Sequence, residues 1–337
     1  MVKVLSKLFL LIISATNVYA QPNNPASIGI MGDTADVQTR TTGGIVLIGG
    51  GGEVPGAFKW MIERSGGGDV VIIRATGDYL YHRTIDSLGK VNSIETLRIG
   101  SREMANNESV ANTIRNAEML FITGGDQSNY MRFWGDTKVE DAINYLMNEK
   151  KVPVGGTSAG CAILTGMYYS GENRSATSAI LKNPYDSSVT IYNNDFLNPP
   201  FLSNVISDQH YVARKRQGRH VTFLARIMSE WNRIPNGIAP DERTAVCIDE
   251  KGKAIVIGEG NAYFISARKG KGPENIAAGV PLQWYHDGKA LKVYELKGTE
   301  NGNGSFDVKR FNFKKAKGGN HLWWSVKNGE LISIKKP

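Results

Sequence analysis

The sequence holds only two cysteines, Cys161 and Cys247, in 337 residues, which excludes a disulfide framework. Each lies in an apolar pattern and reads as a small buried hydrophobe. HExxH, CxxC and Walker sequences are absent, as is any histidine cluster, so neither a metal centre nor a phosphate-binding P-loop is expected. The dinucleotide fingerprint is missing too. Gly49–Gly52 follows an apolar run, but the motif's register would need glycine at Val54 or Pro55. No metal or organic cofactor is therefore expected. Internal repeats and low-complexity segments are lacking. Beyond the first twenty residues no apolar run approaches the ~20 residues of a membrane span.

Those first twenty residues read as a targeting segment. Lys3 and Lys7 precede a short apolar run, Leu8–Ala15, and Val18-Tyr19-Ala20 offers the small residues of a cleavage site. Residues 1–20 are thus expected to be a signal peptide cut near Ala20, and the product to be exported to the periplasm or the medium. Residues 21–42 are small and polar and read as a linker.

What remains, with 41% hydrophobic and 21% charged residues, is ordinary globular composition, long enough for one large core and a smaller addition. The net charge of +8 is unevenly placed. Residues 266–337 hold 14 Lys and Arg against 6 Asp and Glu, so the basicity belongs to the tail. Such a patch suits anionic surfaces or a solvated strand face equally. No nucleic-acid module accompanies it, and no nucleic-acid partner is expected.

From Gly43 onward short apolar runs alternate with amphipathic stretches. Gly44–Ile48, Val70–Arg74, Ile94–Ile99, Met119–Thr123 and Val152–Gly155 read as strands, and Val139–Glu149 as a helix. This alternation predicts right-handed βαβ units and a mostly parallel sheet covered on both faces, an α/β doubly wound fold over residues 43–266. Past Ala267 the period changes to two. Leu291–Leu296, Phe306–Phe313 and Leu322–Val326 alternate, and Asp287-Gly288 and Asn328-Gly329 are turn dipeptides, so residues 267–337 are expected to form a small β appendage.

The strongest chemical signal is Gly156-Thr157-Ser158-Ala159-Gly160, which follows one predicted strand and precedes a helical pattern. G-x-S-x-G in that context is a nucleophile elbow, whose small residues permit a tight turn that lifts the hydroxyl clear of the sheet. The helix beginning there aims backbone N–H groups at the serine, where an oxyanion could be held. A serine needs a base. Of His82, His210, His220, His286 and His321, His210 stands out because Asp208, Gln209, Arg214, Arg216 and Arg219 surround it. In a regular helix Arg214 would share its face, and Arg216 and Arg219 would point elsewhere. For the carboxylate that orients the imidazole, Glu242, Glu172, Asp186 and Asp208 compete, and spacing does not choose among them. Gly124-Gly125-Asp126-Gln127 follows another predicted strand at its carboxyl end, where open α/β sheets place ligands.

Four ordered motifs make the chain resemble the cyanophycinase and dipeptidase E family of serine peptidases. They are GGDQ at Gly124–Gln127, GTSAG at Gly156–Gly160, DQHY with three spaced arginines over Asp208–Arg219, and DE-x-TA at Asp241–Ala245. The resemblance covers roughly Gly43 to Ile265, and the arginine spacing agrees with the cyanophycinase branch. It implies a sheet of the class I glutamine-amidotransferase (flavodoxin-like) type. It further implies Ser158 as nucleophile, His210 as base and Glu242 as third member. Ala159 and Gly125 N–H would form the oxyanion hole, and Gln127, Asp208, Gln209, Arg214, Arg216 and Arg219 the substrate pocket. The implied reaction is exopeptidase release of β-aspartyl-arginine dipeptides from an aspartyl-arginine polymer. The implied partner is thus a peptide or polymer, and a homodimer is compatible with it. The polar stretch Glu172–Phe201, Pro240 and the basic tail depart from the family's pattern at places that bear on specificity. An esterase, amidase or dipeptidase of other specificity would use the same serine, and a non-catalytic peptide or polyanion binder would rest on the basic tail.

Overall fold

The computed structural model describes residues 24–336; the expected signal peptide lies outside the described residues. Among the described residues, eighteen strands form two sheets. The first six are β1 Ser27–Gly32, β2 Gly44–Ile48, β3 Val70–Arg74, β4 Ser93–Arg98, β5 Met119–Ile122 and β6 Pro153–Thr157. Next come β7 Met167–Tyr169, β8 Ile191–Asn193, β9 Val205–Ser207, β10 Asn236–Pro240, β11 Thr244–Asp249 and β12 Lys253–Gly258. The last six are β13 Asn261–Ser266, β14 Leu291–Lys297, β15 Ser305–Asp307, β16 Asn312–Lys317, β17 Asn320–Lys327 and β18 Glu330–Lys335.

The first sheet runs β1-β4-β3-β5-β6-β2-β11-β12-β15-β16. Its block β4-β3-β5-β6-β2 is parallel throughout, and the flanking pairs are antiparallel. Runs such as VVIIR in β3 are buried at every position, as expected of strands covered on both faces. Successive residues divide between two cores. Val71, Ile73, Leu120 and Ile122 belong to one, and Val70, Ile72, Met119 and Phe121 to the other. The strand order departs from the flavodoxin order 2-1-3-4-5 in one respect. The first parallel strand, β2, lies at the end of the block, between β6 and β11. That position brings the loop after β2 against the elbow after β6.

The second sheet runs β18-β17-β14-β13-β10-β9-β7-β8 and is antiparallel except for β10-β9-β7. The chain passes from this sheet to the first between β10 and β11, and the site is assembled around that crossing.

Two sequence expectations are corrected here. Within the supposed linker, β1 pairs with β4 as an edge strand, and Thr39 bonds the Ser65 carbonyl 2.5 Å away. The C-terminal segment is not a body set apart. β14 pairs with β13, and β15 with β12, so the tail extends both sheets. Open edge strands present unpaired N–H and C=O groups that any alternating segment can satisfy. The Asn328-Gly329 dipeptide behaves as expected: both residues have positive φ, 50° and 71°, and join β17 to β18 in the manner of a type I′ hairpin.

Candidate active site

Ser158 follows β6 directly and enters the short helix Ala159–Ile163. Its backbone has φ 52° and ψ −111°, a region that costs a non-glycine residue about 1–3 kcal/mol. The turn closes because its neighbours lack side chains. A Cβ on Gly156 would lie 2.4 Å from the Gly160 carbonyl oxygen, and one on Gly160 would lie 2.3 Å from that of Ile122. Ser158 N–H bonds the Ile48 carbonyl, and Gly160 N–H that of Thr123, which fixes the elbow to β2 and to the end of β5. Ala159 N–H, in the first turn of the helix, lacks an intrahelical acceptor.

His210 follows β9 by three residues, and Glu242 lies in the turn between β10 and β11. The Ser158 hydroxyl stands 2.8 Å from His210 Nε2, and His210 Nδ1 stands 2.7 Å from Glu242 Oε1. A carboxylate can only accept, so Nδ1 carries the proton and Nε2 is left as the acceptor facing the hydroxyl. The competing carboxylates are engaged elsewhere: Glu172 with Tyr192, Asp186 with Arg174 and Asp208 with Arg219. His82 bonds Thr96, and His220 is sealed in the core between Tyr211 and the Ile206 carbonyl, its pKa lowered to about 4 by burial. Sequence spacing could not rank these groups, because the choice depends on which turns converge.

The Gly49–Gly52 loop, dismissed as a broken dinucleotide motif, is what lets them converge. Gly50 has φ +87°, and a Cβ there would lie 2.4 Å from the His210 ring; Gly51 has φ +73°, and its Cβ would lie 2.6 Å from Glu242. The loop also bonds His210 and the residue after Glu242, accepting His210 N–H at the Gly49 carbonyl and Arg243 N–H at that of Gly50. Asp241 adds a tie by accepting the N–H groups of Val212 and Ala213. The consecutive glycines were the signal for this role.

Beside Ser158 opens a cleft of about 370 Å³ whose lining includes Gly125, Gln127, Tyr169, Gln209, Arg214, Arg216 and Arg219. The expected regular helix after His210 is replaced by turns, and the helix proper is Gln217–Glu230. Arg214 is therefore exposed and approaches Glu242 at 3.8 Å. Arg216 is buried and donates to the Gln209 carbonyl, and burial, with Arg219 nearby, lowers its pKa to about 10. Asp208 is not open to the cleft. It is buried with Arg219 in a two-bond pair of 2.8 and 2.5 Å. Burial alone would raise its carboxyl pKa, but Arg219 outweighs that and holds it below the ordinary range. The pair supports the floor on which Gln209 and Arg216 sit. Gln127 begins the helix Gln127–Trp134, capped by Asp126, and reaches the Tyr169 carbonyl at 3.4 Å. Arg174, which the sequence reading did not single out, also lines the cleft. Cys161 and Cys247 are buried and unpaired.

The His210 pKa is lowered chiefly by burial, with Arg214 and Arg216 pushing the same way against the Glu242 hydrogen bond. A base must be neutral to accept a proton, so activity should be lost as pH falls through this lowered value. The acidic limb of the kcat/KM profile is expected below pH ~6.5, the ordinary histidine value. A limb centred at pH 7 or above would contradict this electrostatic account.

A sequence profile described as Peptidase family S51 matches residues 81–256, which include Ser158, His210 and Glu242. A cyanophycinase of Synechococcus elongatus is 28% identical over 191 residues, 56% of this chain and 54% of that protein. A cyanophycinase of Trichormus variabilis is 28% identical over 185 residues, 55% of this chain and 57% of that protein. The alignments thus span little more than half the length of these curated relatives. The crystal structure of a peptidase from an acI-B1 Actinobacterium superposes with TM-score 0.51 at 16% identity, covering 80% of this chain and 98% of that one; this likeness is one of fold, α/β with mixed sheets. With just over half of its length matched by the family profile, the chain belongs to peptidase family S51.

Proposed function

We propose that the protein is an exported serine peptidase of the cyanophycinase type, releasing β-aspartyl-arginine dipeptides from an aspartyl-arginine polymer. The observation that carries this reading is the chain of hydrogen bonds from Ser158 through His210 to Glu242, set at the mouth of a cleft lined with arginines. Guanidinium groups bind carboxylates through charge-assisted, often bidentate hydrogen bonds, and each residue of an aspartyl polymer offers free carboxyl or amide oxygens. The class I glutamine-amidotransferase-like description of the sheet belongs to the same reading.

In this mechanism His210 Nε2 accepts the Ser158 proton as Oγ attacks the scissile carbonyl, and Glu242 stabilises the imidazolium that results. The N–H groups of Ala159 and Gly125 hold the oxyanion; loss of one such donor typically costs about 10²–10³ in rate. The C–N bond breaks as His210 returns its proton to the leaving amine. Water then enters, His210 takes its proton, and the acyl ester on Ser158 is hydrolysed. Arg214 and Arg216 anchor substrate carboxylates, Gln127 and Gln209 contribute polar contacts at the wall, and Arg219 with Asp208 holds that wall in place.

The direct test is incubation of the mature protein with insoluble cyanophycin, with soluble products followed by mass spectrometry. Release of β-aspartyl-arginine is expected. If no dipeptide appears while other peptides are cleaved, the substrate assignment fails and the peptidase assignment stands.

A further inference from the structure

A second cleft, of about 580 Å³, meets the arginine-lined one at Ser158, His210 and Arg214. Its remaining lining is of different character: Gly50–Gly52, Gly124, Thr157, Glu53, Tyr79 and Tyr81. Glu53 is half-buried, and among the described residues no basic side chain pairs with it. It accepts the Tyr79 hydroxyl at 2.8 Å and the Thr84 hydroxyl at 3.0 Å. An ionised carboxylate has about four acceptor sites, so part of this one faces the cleft unused. Tyr79 is 57% exposed, the most exposed large apolar side chain among the described residues. Its ring stands edge-on to Tyr81 at 4.6 Å.

This wall is preorganised from the core side. Arg74, at the end of β3, donates to the carbonyls of Thr76 and Tyr79, which fixes the loop that presents Tyr79. Tyr81 adopts a left-handed backbone, φ 56°, and packs its ring against Phe58 and Phe121. Arg214, the one guanidinium among the described residues that line this cleft, lies toward Glu242. An unpaired carboxylate flanked by two aromatic rings matches the chemistry that holds organic cations: charge-assisted hydrogen bonds from the acid and ring-face attraction from the aromatics.

We infer that Glu53, with Tyr79 and Tyr81, forms a subsite for a guanidinium or ammonium group next to the scissile bond, in the cleft that adjoins the arginine-lined one. This deepens the proposed function and rests on Ser158 being the nucleophile. The two clefts then read a charge-segregated substrate, with a carboxylate on one side of the bond to be cut and a cation on the other. Glu53 and Tyr79 precede the stretch matched by the family profile, and none of the four motifs that carry the resemblance includes them.

The test is calorimetric titration of the full protein with benzylguanidine and with its neutral isostere benzylurea, which needs no turnover. Benzylguanidine is expected to bind about tenfold or more tightly than benzylurea. Glu53→Gln, which keeps the side chain's shape and can still accept from Thr84, should abolish that preference. Tyr79→Ala, at an exposed position, should weaken benzylguanidine several-fold. Equal affinity for the two ligands in the wild type, or an undiminished preference in Glu53→Gln, would overturn the subsite. Cyanophycin digestion is read separately. Guanidinium preference without digestion removes the polymer and keeps the subsite, and digestion without the preference does the reverse.

Discussion

Ser158→Ala is expected to lower kcat/KM on β-aspartyl-arginine peptides by about 10⁴-fold or more, in the range seen when serine-hydrolase nucleophiles are removed. The melting temperature should change little. Alanine carries the same Cβ as serine and meets the same backbone strain at φ 52°, and the hydroxyl's partner in the structure is His210 Nε2. In the proposed mechanism what disappears is the attacking atom, whereas the proposed oxyanion donors and the arginine-lined cleft remain. A small residual rate from binding and oxyanion stabilisation is therefore compatible with the mechanism. Covalent labelling by a fluorophosphonate, read as a mass increase on the intact protein, should occur in the wild type and vanish in the variant. A variant that kept even a tenth of wild-type turnover would remove Ser158 from the reaction.

Asp208→Ala is expected to produce the largest loss of stability. Asp208 and Arg219 are each 1% exposed and joined by two hydrogen bonds. Removing one partner of such a pair leaves an uncompensated charge in the interior and costs about 3–5 kcal/mol, a fall in Tm of about 5–8 °C for a protein of this size. Arg219 also donates to the Ala176 carbonyl, so the stranded guanidinium cannot turn away to solvent. The double variant Asp208→Ala with Arg219→Met should recover part of the loss, because the buried charge is then gone. Failure of the double variant to recover anything would place the effect in packing rather than in charge. The sign of the pH dependence follows from the lowered Asp208 pKa. Its contribution is fully present above the unfolded carboxylate value near ~4 and is lost as pH falls through the lower folded value. Across neutral pH the pair should therefore stabilise the protein without variation.

The elements that could be read in advance are those whose signal is local. Gly44–Ile48 is an unbroken apolar run and Val70–Arg74 is apolar up to its final arginine, and both are strands with those bounds. Parallel strands buried on both faces need apolar residues at every position. The elbow was equally legible, because a positive φ between two steric bottlenecks demands small residues at fixed offsets, and Gly156 and Gly160 supply them. Ser27–Gly32 carries only a faint strand signal, because SIGIMG places two glycines among six residues inside a small, polar stretch; it becomes a strand because the edge of β4 is there to be paired. The helix expected directly after His210 is delayed to Gln217. His210 and Lys215 both take positive φ, 49° and 50°, and Asp241 captures the loop's amides from a turn 28 residues or more further along.

By itself, then, the sequence determined the parallel α/β core, the strand–turn–helix that exposes Ser158, and the residue types gathered around His210, since each depends on steric or hydrophobic patterns within a few residues. Only the tertiary structure decided which carboxylate serves that histidine, that Asp208 is spent on Arg219 beneath the cleft, and that the basic tail completes both sheets. Those outcomes depend on which turns meet when two sheets exchange the chain between β10 and β11. A meeting of that kind leaves no periodicity behind, because the residues that touch are set by distant strand pairings rather than by their own neighbours.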